Sequence, residues 1–173
     1  MKVYCVFLLS ALCTISFQDS YCQKVSLADK AFDSLVESLC DGSVPWIDES
    51  SVREKKTSNW KVLDCREKEE FEVSHLEDAT WVGYNNYVPK RNKSIAKSDT
   101  ILVYCSVGYR SEKIGERLKK QGYENVFNLK GGIFSWVNQG NEVETANHQK
   151  TDKVHPYDEA WGLWLKAGTK AYE

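Results

Sequence analysis

The stretch Ile101–Ser111, ILVYCSVGYRS, decides how this chain folds. Its first four residues form a short apolar run, which is typical of a buried strand in a parallel sheet. Cys105 ends that run, and Gly108 permits a tight turn. A helical pattern with Ile114 and Leu118 on one face follows. The stretch therefore predicts a strand, a short loop and a helix, with Cys105 at the carboxyl end of the strand.

The position of Cys105 suits a nucleophilic thiol. The unpaired N–H groups and the dipole at a helix N-terminus favour the thiolate, which is the reactive form of sulfur. Arg110 adds a positive charge, and Gly108 allows successive amides to turn inward as an anion-binding nest. A buried cysteine before an ordinary turn is the alternative that the spacing leaves open. We expect Cys105 to be catalytic and the loop to bind substrate through Ser106, Val107, Gly108, Tyr109 and Arg110.

Short apolar runs and helical patterns alternate along the neighbouring sequence. The runs at 44–47, 60–64 and 126–129 predict further strands. Alternation of strands and helices predicts an α/β fold, in which helices cover both faces of a parallel sheet. Ligand sites in such folds lie beyond the carboxyl ends of the strands, where Cys105 is expected.

Two extensions flank this region. Residues 23–43 are predicted to form a helical extension, in which Ser26 and Asp29 resemble a capping box and Gly42 supplies a stop. The polar segment 141–153 lacks periodicity and is predicted to be a linker to an aromatic C-terminal extension, the two together covering 141–173. The aromatic residues of that extension are expected to pack back onto the domain, and a lid or a partner surface is the alternative.

The first 22 residues have the layout of a secretory signal peptide. An uncharged, mainly apolar run from Val3 to Phe17 is too short for a comfortable bilayer span. Ser20 and Cys22 are small residues at the −3 and −1 positions of a candidate cleavage site. We expect an exported protein, periplasmic or secreted, with no stable membrane insertion after cleavage. A retained anchor and a lipoprotein signal at Cys13 are the alternatives.

The composition of the 173 residues, 42% apolar and 28% charged, is that of one compact globular domain. The net charge of −2 lacks the basic footprint of nucleic-acid binding, so no nucleic-acid partner is expected. Cleavage of the signal leaves Cys40, Cys65 and Cys105, an odd number, so at least one thiol stays free in a monomer. The 3 histidines are dispersed, and neither a metal nor another cofactor is predicted.

Four separated blocks of the sequence resemble the rhodanese family of sulfurtransferases. They are Val62–Glu67 (VLDCRE), Glu70–Ala79 with its Glu-Phe and His-Leu pairs, the Cys105 loop, and Leu129–Trp136 (LKGGIFSW). The resemblance assigns residues 44–140 to a rhodanese-like domain. It implies a three-layer α/β/α fold on a five-stranded parallel sheet.

The resemblance also implies the reaction. Cys105 takes sulfane sulfur from thiosulfate or from a persulfide donor, and the Cys105 persulfide then passes it to a thiophilic acceptor. The expected partners are therefore a small-molecule sulfur donor and a cyanide or thiol acceptor. Arg110 orients an anionic donor. Asp64 and Arg66 are structural residues that hold the Cys105 loop in position. A sulfur carrier or an interaction module with little turnover is the alternative.

Several residues separate this chain from related patterns. Cell-cycle phosphatases of the same fold place five residues between Cys and Arg, whereas four intervene here. Tyr104 also replaces the His that usually precedes the phosphatase Cys. Phosphatase or arsenate reductase activity is therefore a minor alternative. Ser106 stands where the rhodanese family often has Arg, and Asp78 where it commonly has Gly. Because Ser106 removes a possible second cation from the pocket, the identity of the sulfur donor stays open. Cys65 is either a buried apolar residue or a redox partner of Cys105.

Overall fold

A computed structural model describes residues 26–54, 59–92 and 94–172, so the expected signal peptide lies outside the described residues. The helices are α1 (Leu27–Leu39), α2 (Glu49–Glu54), α3 (Lys68–Val73), α4 (Tyr109–Lys120), α5 (Gly132–Asn138) and α6 (Glu159–Gly162), with a 3-10 turn at Pro89–Asn92. The strands are β1 (Trp46–Ile47), β2 (Lys61–Asp64), β3 (Thr80–Trp81), β4 (Thr100–Tyr104), β5 (Asn125–Leu129), β6 (Val143–Glu144), β7 (Lys150–Thr151), β8 (Lys153–Val154) and β9 (Thr169–Lys170). Among the described residues, no helix has the length and apolar character needed to cross a membrane.

Five strands form the central sheet. Their order is β1-β5-β4-β2-β3, and every neighbouring pair is parallel. This confirms the predicted five-stranded parallel sheet. Because the strands all run in the same direction, their carboxyl ends meet at one edge, where Cys65 follows β2 and Cys105 follows β4.

Helices cover both faces of the sheet because alternate residues of β4 point to opposite sides. Leu102 and Tyr104 belong to an apolar cluster that also contains residues of α1, α2 and α5. Ile101 and Val103 belong to a second cluster, which α4 covers. All four side chains are fully buried. The arrangement is the predicted three-layer α/β/α fold.

The helical N-terminal extension is fixed at both of its ends. The capping box at Ser26 and Asp29 is present, as predicted, and starts α1. Beyond the end of α1, the buried carboxylate of Glu112 on α4 accepts the N–H groups of Asp41 at 3.2 Å and Ser43 at 3.0 Å. These bonds bring the end of α1 to the amino end of α4.

The predicted linker at 141–153 is wrong, because this segment forms strands. β6 and β7 pair antiparallel through Val143 and Thr151, and β8 pairs with β9. Val143 is buried in the first apolar cluster. Strands of two residues are too short to show an alternating pattern in the sequence, which explains the error.

The aromatic C-terminal extension packs back onto the domain, as predicted. Trp161 and Trp164 contact the first apolar cluster. The Trp164 ring centroid lies 5.7 Å from that of Phe32 on α1. Lys166 forms an ion pair with Asp29. The two extensions therefore meet on the same face of the sheet.

α5 begins directly against the Cys105 loop. The N–H groups of Ile133 and Phe134 donate to the carbonyl oxygens of Cys105 at 2.9 Å and Ser106 at 3.1 Å. Gly132 lies at this contact with a φ of 56°, and a Cβ atom there would lie 2.2 Å from the Cys105 carbonyl oxygen. Only glycine lets the helix approach the loop so closely.

Replacing Gly132 by Ala is expected to destabilise the fold and displace the Cys105 loop. The positive φ costs roughly 1 kcal/mol, and the overlap adds about 1–3 kcal/mol because the loop or α5 must move. Gly140→Ala is the matched control, since Gly140 has a φ of 78° and nothing within 4 Å of its Cβ position. Urea unfolding measures both losses. Equal losses would contradict the tight contact.

Candidate active site

Cys105 lies in a buried loop between β4 and α4. Its side chain is 1% exposed, and its Sγ accepts the N–H of Gly108 with an N···S distance of 3.1 Å. Gly108 has a φ of 113° and directly precedes the first residue of α4. The amide and the positive end of the helix dipole stabilise negative charge on the sulfur. The strand, loop and helix predicted around Cys105 are confirmed.

A buried polar group on the neighbouring strand fixes the loop. Asn128 Nδ2 and the N–H of Glu112 each donate to the Gly108 carbonyl oxygen at 3.0 Å. The Ser111 hydroxyl donates to Asn128 Oδ1 at 2.7 Å, and its oxygen also lies 3.0 Å from the Gly108 carbonyl oxygen. Sequence analysis missed Asn128, although a polar residue inside the apolar run 126–129 was a usable signal.

Arg110 is paired with a carboxylate rather than left free for a ligand. Glu70 on α3 is 2% exposed and accepts Nη1 and Nη2 of Arg110 at 2.6 and 2.8 Å. The same carboxylate accepts Ser106 Oγ at 2.9 Å and the N–H of Glu67 at 3.0 Å. This bidentate pair fixes the guanidinium and compensates its charge. Sequence analysis placed Glu70 in a motif but assigned it no role.

Both members of this pair are ionised at neutral pH. Burial opposes ionisation of Glu70, but the hydrogen bonds and the charge of Arg110 outweigh it and hold the pKa of Glu70 below its usual range. Burial likewise acts to lower the pKa of Arg110, but Glu70 and Cys105 raise it above its usual value. The pair is therefore a charge-compensated unit beside the loop.

Asp64 and Arg66 form a second ion pair behind the loop. Both side chains are fully buried, and Arg66 Nη2 lies 2.7 Å from Asp64 Oδ2. The Tyr104 hydroxyl donates to Asp64 Oδ2 at 2.5 Å and accepts the N–H of Leu76 at 3.1 Å. Since Tyr104 directly precedes Cys105, this pair positions the end of the strand that carries the thiol.

The two other described cysteines are reduced and buried. Burial raises the pKa of the Cys65 thiol well above its usual value, and its Sγ donates to the Leu63 carbonyl at 3.8 Å. Burial, and then Glu112, raise the pKa of Cys40 to about 12. Both thiols are protonated at neutral pH. This environment favours the hypothesis that Cys65 is a buried apolar residue.

A pocket of about 310 Å³ opens over Cys105. The Cys105 loop forms its floor, and its walls come from three other parts of the chain. The Tyr157 ring centroid lies 5.0 Å from the guanidinium carbon of Arg110. Sequence analysis did not place the N-terminal extension in the site, and it gave a lid only as the alternative for the C-terminal extension. The wall residues are Leu39 from α1, Glu67, Tyr84 and Asn85 from the segment around β3 and α3, and Tyr157 and Trp161 from the C-terminal extension.

Comparison with known families matches the model of the rhodanese-like domain to residues 49–139, more than half of the chain. The chain belongs to the rhodanese-like domain family. The match includes the Cys105 loop, Glu70 and the Asp64–Arg66 pair. It leaves out the whole of α1 and the described chain after residue 139, so the rhodanese-like region lacks part of the pocket wall.

The rhodanese-like region is similar to several known proteins. The chain is 30% identical over 114 residues to a tRNA uridine(34) hydroxylase of Onion yellows phytoplasma, covering 63% of this chain and 35% of that protein. It is 32% identical over 97 residues to a putative sulfur carrier protein, YrkF, of Bacillus subtilis, covering 55% of this chain and 52% of that protein. The chain thus spans about a third to a half of these relatives.

A solved structure supports the fold of the rhodanese-like domain. A thiosulfate sulfurtransferase from Pseudomonas aeruginosa superposes with a TM-score of 0.55 at 21% identity. The superposition covers 70% of this chain and 23% of that chain. At this identity the similarity establishes the architecture alone.

Asp78, where the rhodanese family commonly has Gly, adopts a backbone conformation that is typical of glycine. Its φ of 56° is the left-handed conformation that glycine favours and that Asp tolerates. Its N–H donates to Glu144 Oε1 at 3.1 Å, and His148 Nδ1 lies 3.0 Å from the same oxygen. Asp78, Glu144 and His148 thus converge although the histidines are dispersed in sequence. These contacts tie β6 to the loop before β3.

Replacing Glu70 by Gln is expected to destabilise the domain by about 3–5 kcal/mol at neutral pH, because Arg110 keeps a buried charge without compensation. The pKa of Glu70 is lowered in the fold, so its contribution to stability is present above the unfolded pKa, about 4.3. That contribution is lost as the pH falls through the folded pKa. Urea unfolding from pH 7 downward should show a weaker acid dependence in the variant.

Glu72→Gln is the matched control on the same helix. Its ion pair with Lys68 is exposed, with side-chain exposures of 57% and 59%. Such a pair contributes about 0–1 kcal/mol. A loss for Glu70→Gln as small as that for Glu72→Gln would contradict the structural role of the buried pair.

Proposed function

We propose that this protein is a sulfurtransferase that carries sulfane sulfur on Cys105. The observation that carries the proposal is the position of Cys105, which lines the floor of a pocket and whose Sγ lies 3.1 Å from the Gly108 nitrogen. A thiolate in this position is stabilised by the amino end of α4 and is reachable by a small molecule. Membership of the rhodanese-like family supports the same chemistry.

The reaction consists of two displacements. The Cys105 thiolate attacks the outer sulfur of the donor and forms an S–S bond, while the donor leaves with the electron pair of its broken S–S bond. The leaving group is sulfite from thiosulfate and a thiolate from a persulfide. Cyanide or a thiolate then attacks the outer sulfur of the Cys105 persulfide and restores the thiolate. The described chain needs no cofactor for either step.

The loop contributes mainly through its backbone. Because Glu70 compensates Arg110, the terminal persulfide anion depends on N–H groups at the amino end of α4, beginning with Gly108. Arg110 is then a positioning residue that holds Ser106 through a bond of 2.9 Å. Asp64 and Arg66 position the strand end through Tyr104.

A sulfur carrier with little turnover is the second candidate. The similarity to the putative sulfur carrier protein of Bacillus subtilis favours it. The compensated charge of Arg110 also weakens the attraction of an anionic donor from solution. The two candidates differ in whether the persulfide on Cys105 is consumed by a free acceptor or persists.

Export of the protein is also part of the proposal. The run from Val3 to Phe17 supports it, because its length and position suit a signal peptide that is removed. A periplasmic or secreted location would expose Cys105 to small-molecule donors and acceptors outside the cytoplasm. Amino-terminal sequencing of the mature protein tests this location, and an intact Met1 would contradict it.

Intact-mass measurement tests the sulfurtransferase directly. Treatment with thiosulfate, or with a low-molecular-weight persulfide, is expected to add one sulfur atom, and cyanide is expected to remove it as thiocyanate. Cys105→Ala should gain no sulfur. Cys40→Ala is the matched control and should still gain it, because the Cys40 thiol is protonated and lies outside the pocket.

Each outcome of that measurement decides between the candidates. Repeated turnover with cyanide supports the sulfurtransferase. A persulfide that forms but resists both cyanide and thiols supports the carrier. Absence of sulfur uptake from both donors would contradict a sulfur-bearing role for Cys105.

A further inference from the structure

The walls over Cys105 are rich in aromatic rings, which a small inorganic donor does not need. Four rings line the pocket, from Tyr84, Tyr109, Tyr157 and Trp161. Tyr109 and Tyr157 are 42% and 49% exposed, so their ring surfaces are accessible to an occupant. Aromatic rings bind flat apolar groups by stacking and edge contacts.

The charges around the pocket do not favour a dianion. Among the described residues that line it, Arg110 is the one cation, and Glu70 lies 2.6 Å from its guanidinium. Glu67 places a further carboxylate at the rim, where Asn85 Nδ2 donates to it at 2.9 Å. The formal charges of Arg110, Glu70 and Glu67 therefore sum to −1 beside the thiol. A dianion entering this pocket meets backbone amides but no uncompensated cation.

The C-terminal wall is held in place by its own hydrogen bonds. Tyr157 has a φ of 71°, and its N–H donates to His155 Nδ1 at 3.0 Å. Asp158 caps α6 by accepting the N–H of Trp161 at 2.8 Å. Trp161 also packs against the first apolar cluster. The backbone that carries the two rings is thus fixed, and the Tyr157 ring lies against the Arg110 guanidinium.

We infer that this pocket selects a sulfur donor with an aromatic or similarly flat apolar group and at most one negative charge, in preference to thiosulfate. Tyr157 and Trp161 contact that group. The pocket volume of about 310 Å³ suits a single ring above the loop. The inference rests on the proposed role of Cys105. With an aryl thiosulfonate, the Cys105 thiolate bonds to the terminal sulfur, and the aryl sulfinate leaves with the electron pair of the broken S–S bond.

Three donors separate the effect of charge from that of the apolar group. Thiosulfate is a dianion without an organic group, methanethiosulfonate is a monoanion with a methyl group, and benzenethiosulfonate has the same charge and a phenyl group. With cyanide as acceptor, kcat/KM for benzenethiosulfonate should exceed each of the other two by about tenfold. Equal values for the two monoanions, or a higher value for thiosulfate, would overturn the inference.

Substitutions in the pocket wall separate ring binding from leaving-group chemistry, because the leaving groups are the same for every variant. Tyr157→Ala should lower the ratio of kcat/KM for benzenethiosulfonate to kcat/KM for methanethiosulfonate about three- to tenfold. Tyr157→Phe keeps the ring and should restore the ratio. Leu163→Ala is the matched control, since Leu163 is 76% exposed on the same extension but outside the pocket. A ratio that Tyr157→Ala does not change would overturn the inference.

Calorimetric titration of Cys105→Ser with benzenesulfinate and methanesulfinate distinguishes this inference from the proposed function, because product binding needs no sulfur transfer. If benzenesulfinate binds more tightly than methanesulfinate and Tyr157→Ala abolishes the difference, the inferred ring preference of the pocket is supported. That result stands even if no donor loads Cys105, in which case the proposed function alone fails. Sulfur uptake with no preference in either rates or binding overturns the inference and leaves the proposed function intact.

Discussion

The buried carboxylate of Glu70 is the group on which the rest of the site depends. It accepts hydrogen bonds from Arg110, Ser106 and the N–H of Glu67. The donors therefore come from the start of α3, from the Cys105 loop and from α4. An ionised carboxylate in such a place is costly unless it is paired this fully. The start of α3, the Cys105 loop and the first turn of α4 must therefore take their positions together, as one rigid frame around the thiol.

The pairing of Glu70 with Arg110 also determines which interactions can stabilise negative charge in the Cys105 loop. With the charge of Arg110 compensated, stabilisation of negative sulfur comes from the N–H groups and dipole at the amino end of α4. Such stabilisation is local and directional, because it falls off within the first turn. It therefore depends on the shape of the loop backbone, where Asn128 on β5 donates to the Gly108 carbonyl oxygen and α5 donates to those of Cys105 and Ser106. Backbone geometry, more than side-chain charge, defines this site.

Local patterns in the sequence were sufficient to predict the sheet and the place of Cys105. Apolar runs such as ILVY show strands that are buried on both faces, and Gly108 shows the turn that follows. They were not sufficient for partners distant along the chain. Glu70 and Arg110 are 40 positions apart, and no local pattern connects them. For the same reason no local pattern placed Tyr157 beside Arg110. β6 to β9 were missed because two residues cannot display a period.

The nucleophile and the walls that surround it come from different parts of the chain. The loop lies within residues 49–139, whereas Leu39, Tyr157 and Trp161 lie outside that range. Phe32 and Trp164 join the two flanking segments across the sheet face. Substitutions in these two segments therefore change the wall of the pocket and leave the residues of the Cys105 loop unchanged. Because the segments are in contact through Phe32 and Trp164, a change of shape in one is expected to require a matching change in the other.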